Sequence, residues 1–270
     1  MFEEHIDVIQ SPSGLGNQKP APLVLFHDGG GTVFSYHMLG DLRRPVYAIS
    51  NPHWGKQTCF EGGMPEMARV YVDLMRKAVP SGKIIIGGWS LGGLTSMEVA
   101  RILADDKQFE VIGIVMIDSV CPLAYNVPPD AFLKIVPHVV EWSENTREET
   151  RQAVLKCFAD ATAMVGVWKL PTWDDSQITG RSLLRPPPVI LLKAKEPVPV
   201  LEEGVSRVDV VRGDRKLGWD MYREGMIEKV VEIPGHHYNV FVTEWRLEII
   251  TDRLKRACLD VEKIHRLRRT

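Results

Sequence analysis

Ser90 stands at the centre of Gly88-Trp89-Ser90-Leu91-Gly92, a Gly-x-Ser-x-Gly pattern with an apolar run before it and a helical pattern after it. A serine hydroxyl is a poor nucleophile at neutral pH. It needs a base within hydrogen-bond reach, and that base needs a carboxylate to orient it. Among the histidines, only His236 and His237 lie just past the last predicted strand, in a loop able to fold back over Ser90. Spacing alone does not choose between them. Two carboxylates qualify as the orienting acid. Asp118 closes the apolar run at 111–117, 118 − 90 = 28 residues after the serine, which is the length of one helix and one strand. Glu196 follows the run at 189–192. Acyl transfer through such a serine also needs N–H donors for the oxyanion. The backbone N–H of Leu91 is one candidate. The second should come from the loop opened by Gly29, where missing side chains let the backbone approach a carbonyl.

These residues require elements that hold them at one edge of a sheet. The run at 84–86 reads as a buried strand. Residues 91–103 read as a helix, with Leu94, Met97, Ala100 and Leu103 along one side. A serine forced into so sharp a strand-to-helix turn projects its hydroxyl outward. The flanking glycines are needed because a Cβ there would clash. The helix that follows points its free N–H groups and positive end at the site. Further strands are predicted at 23–27, 46–49, 111–117, 189–192 and 230–233. Helices are predicted at 65–79, with Met67, Val70, Tyr71, Leu74 and Ala78 inward, and at about 240–259. Strands alternating with helices indicate an α/β fold, with a mostly parallel sheet flanked by helices. Sites in such sheets form at the C-terminal edge of the strands.

The alternation breaks between 123 and 185. That segment holds helical patterns and no clear strand, and is expected to be a helical lid insertion over the site. Thr146-Arg147-Glu148-Glu149 fits a capping box for a helix lined by Ala153, Cys157, Ala161 and Met164. Residues 1–20, with Ser11-Pro12-Ser13-Gly14, are expected to be a mobile leader. The whole of 1–270 then forms a single domain.

Composition narrows the function. The chain has 270 residues, 44% hydrophobic and 25% charged, with a formal net charge of −2. That is ordinary for a soluble globular protein, and nothing in it argues for a nucleic-acid binder. No apolar run reaches the roughly 20 residues that span a bilayer, and the acidic start lacks the apolar stretch of a signal peptide. A cytoplasmic protein is expected. Cys59, Cys121, Cys157 and Cys258 are scattered without Cys-x-x-Cys spacing, so no metal or redox site and no cofactor is expected. Gly29-Gly30-Gly31 lacks the further residues of a phosphate-binding loop. Arg212-Gly213-Asp214 reads as an ordinary turn. The basic end at Lys263, Arg266, Arg268 and Arg269 reads as a solvated helix end.

Three segments together resemble a known family: Phe26-His27-Asp28-Gly29-Gly30-Gly31 with Tyr36, Gly87-Gly88-Trp89-Ser90-Leu91-Gly92-Gly93, and Ile117-Asp118-Ser119-Val120-Cys121-Pro122. They are similar to the thioesterase domains of polyketide synthases and peptide synthetases, above all those ending fungal non-reducing polyketide synthases. Tyr47-Ala48-Ile49 and Pro52-His53-Trp54 add to the likeness. It runs from about residue 22 to 122 and resumes near 235. The lid matches little beyond Val127-Pro128-Pro129. The resemblance implies an α/β-hydrolase fold with a Ser-Asp-His triad. It favours Asp118 over Glu196 and, through Gly235-His236-His237-Tyr238, His237 over His236. It puts the second oxyanion donor near Gly29. It also implies a polyketide-like acyl chain carried as a thioester on the phosphopantetheine arm of an acyl carrier protein or polyketide synthase. The acyl-enzyme on Ser90 would be released by hydrolysis, by cyclisation, or by transfer to an external alcohol or amine. An editing thioesterase or a general serine esterase would use the same residues.

Overall fold

Short continuous runs of β-branched and aliphatic residues form strands here because both faces of the sheet are covered. In the computed structural model, which describes residues 5–11, 20–125, 134–137, 142, 144–173 and 186–269, the chain order begins β1 (Ile6–Gln10), β2 (Leu23–Phe26), α1 (Phe34–His37), β3 (Val46–Ile49), α2 (Gly63–Ala78), β4 (Gly82–Trp89), α3 (Leu91–Ile102) and β5 (Phe109–Ile117). It continues through β6 (Ile135–Val136), α4 (Glu148–Val167), β7 (Val189–Ala194), β8 (Val205–Ser206), α5 (Trp219–Tyr222), β9 (Ile227–Ile233) and α6 (Glu244–Arg269). Seven strands make one sheet in the order β1-β3-β2-β4-β5-β7-β9. All neighbours are parallel except β1, which runs antiparallel to β3.

Alternation along each strand sends side chains to two separate cores. Val24, Phe26, Ile84, Ile86, Ile114 and Met116 meet α2 and α3 on one face. Leu23, Leu25, Ile85, Val115, Ile190 and Leu192 meet Ile250, Leu254, Ala257, Cys258 and Val261 of α6 on the other. The helix α2 buries Met67, Tyr71 and Leu74 as expected, together with Met64, Ala68, Val72 and Met75, whereas Ala78 is exposed.

Several expectations need correction. Residues 6–10, assigned to a mobile leader, form the edge strand β1, which pairs from Ile6 opposite Ile49 to Gln10 opposite Val46. Residues 1–4 and 12–19 of that leader lie outside the described residues. The strand expected at 84–86 runs on through Gly87, Gly88 and Trp89, paired to Val115, Met116 and Ile117. Gly87 is required there: a Cβ would sit 2.2 Å from the Val115 carbonyl oxygen. The 123–185 segment does carry a strand, β6, which pairs with β8 in a two-stranded sheet. The capping box does not form. The helix α4 begins one residue later than its spacing required, with extended Arg147 as N-cap and no side-chain cap. Thr146 is therefore one position too early to reach the orphan N–H groups. The final helix runs ten residues further than expected, to Arg269. Val127, Pro128 and Pro129 lie outside the described residues.

Candidate active site

The turn from β4 into α3 holds Ser90 at φ 54°, ψ −115°, a conformation a residue with a side chain adopts only under constraint. The constraint is visible on all sides. Its N–H donates to the Ile117 carbonyl at 2.9 Å, and its carbonyl accepts the Ser119 hydroxyl at 2.7 Å. Ahead of it, the Trp89 N–H donates to the Tyr36 hydroxyl at 2.8 Å, and that hydroxyl donates to the Phe26 carbonyl at 2.7 Å. Close approach explains the glycines. A Cβ on Gly88 or Gly92 would lie 2.5 or 2.3 Å from the Phe26 carbonyl oxygen, and one on Gly93 would lie 2.1 Å from Ser119 Oγ. As N-cap of α3, Ser90 makes no side-chain capping bond, so its hydroxyl is left for the site.

Ser90 Oγ donates to His237 Nε2 at 2.9 Å. His237 Nδ1 in turn donates to Asp118 Oδ2 at 2.8 Å. The tautomer follows from the partner: an ionised carboxylate only accepts, so the proton sits on Nδ1 and Nε2 faces the serine as an acceptor. Asp118 comes directly off β5 at φ 48°, and His237 comes off the loop after β9. Both are buried. The Trp89 indole N–H holds the His237 carbonyl at 3.0 Å. Burial by itself would push the Asp118 carboxyl up. The hydrogen bonds from His237 and Arg212, and their charges, outweigh it and hold the group down at about 2. Oδ1 also accepts the Ala194 N–H at 2.8 Å. Arg212 grips both oxygens, Nη1 to Oδ1 at 2.6 Å and Nη2 to Oδ2 at 2.9 Å.

Gly29, in the loop after β2, shares one cleft with Leu91, Ser90 and His237. As the first residue of α3, Leu91 has no intrahelical acceptor for its N–H. The Gly29 N–H likewise donates to no protein group among the described residues. The loop is locked from behind. His27 Nδ1 donates to the Asp28 carbonyl at 2.5 Å, and its Nε2 accepts the Tyr71 hydroxyl at 2.5 Å. Burial pushes His27 down to about 4 despite the first of these bonds, so it is neutral. The neighbouring Asp28 carboxylate accepts the Gly30 N–H at 3.0 Å. Burial pushes this acid up to about 6, against that bond and nearby His237.

The glycines here serve packing as well as access. A Cβ on Gly29 would lie 2.8 Å from the Phe158 ring, one on Gly30 3.4 Å from Val154, and one on Gly31 2.8 Å from Cys157 Sγ. All three neighbours belong to α4, which sits directly on the loop. The helix is tied to α3 by the Trp168 indole, which donates to Glu98 at 2.9 Å. The cleft holds about 140 Å³. Its far walls are Phe158, Ala161, Thr162 and Val165 of α4, with Tyr125, Arg207, Val208 and Tyr238. Its lining is thus apolar and aromatic, with one guanidinium and the Asp28 carboxyl.

Of the sequence candidates, the structure brings Ser90, Asp118, His237, Leu91 and Gly29 together. It keeps Glu196 and His236 out. Glu196 is exposed and holds the histidine loop from outside, its Oε1 accepting the Gly235 N–H at 3.1 Å. His236 caps the same turn, its Nδ1 accepting the Tyr238 N–H at 3.3 Å. Arg212 reads in the sequence as part of an ordinary turn; it is in a turn, yet its side chain reaches Asp118. Tyr36 and Ser119, which brace the serine, carry no sequence signal of this role beyond falling within motifs of the resemblance. All four cysteines are free thiols. Among the described residues no helix is long and apolar enough to cross a membrane, and no group of three His, Cys, Asp or Glu side chains is placed to hold a metal ion.

Residues 21–165 match the thioesterase-domain family profile. The chain belongs to this family. Full-length relatives agree. The probable thioesterase gloN of Glarea lozoyensis is 34% identical, the match covering 88% of this chain and 90% of that protein. Thioesterase AMT4 of Alternaria alternata is 33% identical over 95% of this chain and 91% of its own. A nonribosomal peptide synthetase of Aspergillus flavus, imqB, matches at 33% identity over 84% of this chain and 7% of the synthetase. Among solved structures, the NocB thioesterase domain from the nocardicin cluster superposes with a TM-score of 0.62 at 22% identity, covering 94% of this chain and 98% of that one. The thioesterase thus has the α/β-hydrolase fold, a mostly parallel sheet flanked by helices.

Proposed function

We propose that the thioesterase releases a polyketide-like acyl chain from the phosphopantetheine thioester of a carrier protein, through an acyl-enzyme on Ser90. The observation that carries this reading is the hydrogen-bonded line from Ser90 to His237 to Asp118, with two N–H groups in the same cleft. His237 Nε2 takes the Ser90 proton as Oγ attacks the thioester carbonyl. The Leu91 and Gly29 N–H groups receive the oxyanion, helped by the positive end of α3. Collapse expels the pantetheine thiol, which takes the proton from His237. A second nucleophile then gives its proton to His237 and attacks the ester, and collapse breaks the acyl–Oγ bond as His237 returns that proton to Ser90. Water yields the free acid, an internal hydroxyl or carbon nucleophile yields a ring, and an external alcohol or amine yields an ester or amide.

No cofactor enters these steps; the pantetheine arm belongs to the substrate. The synthetase among the relatives supports a synthase or synthetase as the donor. The aromatic-lined cleft supports an acyl chain with flat or apolar groups. In this reading α4 acts as the lid of a single domain, and the reaction runs in the cytoplasm, where the free thiols stay reduced.

Intact-protein mass spectrometry tests the proposal. Wild type and Ser90→Ala are incubated with an aromatic polyketide-like thioester. An acyl adduct on wild type alone, followed by release, is expected. An adduct on both proteins, or phosphonate labelling of wild type with no acyl adduct from any thioester, would sink it.

A further inference from the structure

We propose that Arg212 is the positioning residue of the triad acid, holding the Asp118 carboxylate in the plane and charge state that His237 uses. This rests on the reading of Ser90, Asp118 and His237 as a triad.

A guanidinium has five N–H donors in one plane, and here all five are spent. Nη1 donates to Asp118 Oδ1 at 2.6 Å and to the Ala194 carbonyl at 3.1 Å. Nη2 donates to Asp118 Oδ2 at 2.9 Å and to the Val208 carbonyl at 3.2 Å. Nε donates to Asp209 Oδ1 at 2.7 Å. The arginine therefore joins the end of β5, the end of β7 and the segment whose Arg207 and Val208 wall the cleft. Asp209 is itself fixed, accepting the Val198 N–H at 2.6 Å.

On Asp118, the two-pronged contact leaves each oxygen with a second, different partner: Ala194 N–H on Oδ1 and His237 Nδ1 on Oδ2. Rotating the carboxylate breaks both prongs. A buried carboxylate without a cation tends to take up a proton, and a protonated acid no longer anchors the Nδ1–H tautomer. A lysine offers three donors from a point and cannot reproduce this fork.

The charge has a second consequence. Arg212 helps hold the Asp118 carboxyl low against its burial, so without the guanidinium the acid takes up its proton at higher pH. The groups that set this balance can be named. Around Arg212 they are Asp118 and Asp209, with Lys193 on β7 and Tyr125 also within electrostatic reach. Around His237 they are Asp118, Asp28, His236 and Tyr238.

The test compares Arg212→Lys, Arg212→Met, Asp118→Asn and the double variant Asp118→Asn/Arg212→Met. Readouts are kcat/KM against pH on a thioester substrate, fluorophosphonate labelling and circular dichroism. Arg212→Met is expected to lower kcat about 10- to 100-fold with little change in KM, and to move the acid limb up by about one pH unit. Arg212→Lys should keep the acid limb near its wild-type place while kcat falls. In the Asp118→Asn background, removing Arg212 should cost under about 3-fold more, because the group it acts through is gone. Labelled, folded Arg212→Met with an unmoved acid limb overturns this proposal alone. So do independent penalties in the double variant. If Arg212→Met does not fold, full kcat in Arg212→Lys overturns it. Failure of wild-type Ser90 to label overturns the triad reading, and this proposal with it.

Discussion

The backbone strain at Ser90 can be measured by comparing two variants that both lack the nucleophile. Ser90→Ala and Ser90→Gly lose the same hydrogen bond to His237. Neither loses a helix cap, since the Ser90 side chain makes none. They differ in the Cβ at φ 54°. A non-glycine residue held in such a region costs about 1–3 kcal/mol. Glycine adds unfolded-state entropy worth about 0.5–1 kcal/mol in the other direction. The net expectation is that Ser90→Gly is more stable than Ser90→Ala by about 0.5–2 kcal/mol, or about 1–6 °C in Tm for a chain of this size. Urea unfolding followed by tryptophan fluorescence at neutral pH reads the difference, with circular dichroism checking that both variants fold. Equal stability, or a more stable alanine variant, would refute the claim that the turn is held against its preference.

Three further outcomes are expected. Asp118→Asn should lower kcat on the order of 10⁴-fold by favouring the wrong imidazole tautomer, as in the serine-protease precedent; steady-state kinetics that leave more than a tenth of the activity would exclude Asp118 as the orienting acid. His237→Ala should abolish turnover, while His236→Ala and Glu196→Gln, which only brace the loop, should stay within about 10-fold of wild type; the reverse ranking in the same assay would move the base to His236. The pH dependence of stability should expose two neighbours that oppose each other. His27 is lowered from 6.5 to about 4, so the unfolded chain protonates first, and its contribution is complete above pH 6.5 and lost as the pH falls toward 4. Asp28 is raised from 3.8 to about 6, so the folded protein protonates first, and its contribution is complete below 3.8 and lost as the pH rises through 6. Each amounts to about 3 kcal/mol, so they nearly cancel between those limits. Asp28→Asn, whose carboxamide oxygen can still accept the Gly30 N–H, should therefore lose stability far more steeply than wild type from pH 6.5 to 4 in urea titrations; parallel curves would refute the assignment.

The sheet and the serine turn were legible because their causes are local. Apolar runs buried on two faces mark the parallel strands, and glycines around a serine mark a backbone with no room for Cβ. What escaped depends on distant partners. Ile6 to Gln10 is short, ends at a Ser-Pro step and leaves Val8 exposed, so only its pairing with β3 makes it a strand. Arg212 is one of many arginines, and nothing near it marks a carboxylate 94 residues away as its partner. The choice of His237 over His236 turned on which ring faces inward, which two adjacent identical residues cannot reveal; family likeness supplied it. The missing capping box shows the limit of spacing: a shift of one residue at the start of α4 disarms it.

The glycine run after β2, proposed above to receive a substrate carbonyl, is equally a seat for α4. Phe158 belongs to both arrangements, since it walls the cleft and rests on Gly29. Selectivity and speed therefore share one side chain. Carving the cleft at Phe158 for a bulkier chain also removes what presses on the loop proposed to stabilise the oxyanion. A change of preference gained there arrives with a slower reaction, unless a second substitution in α4 refills the space over Gly29.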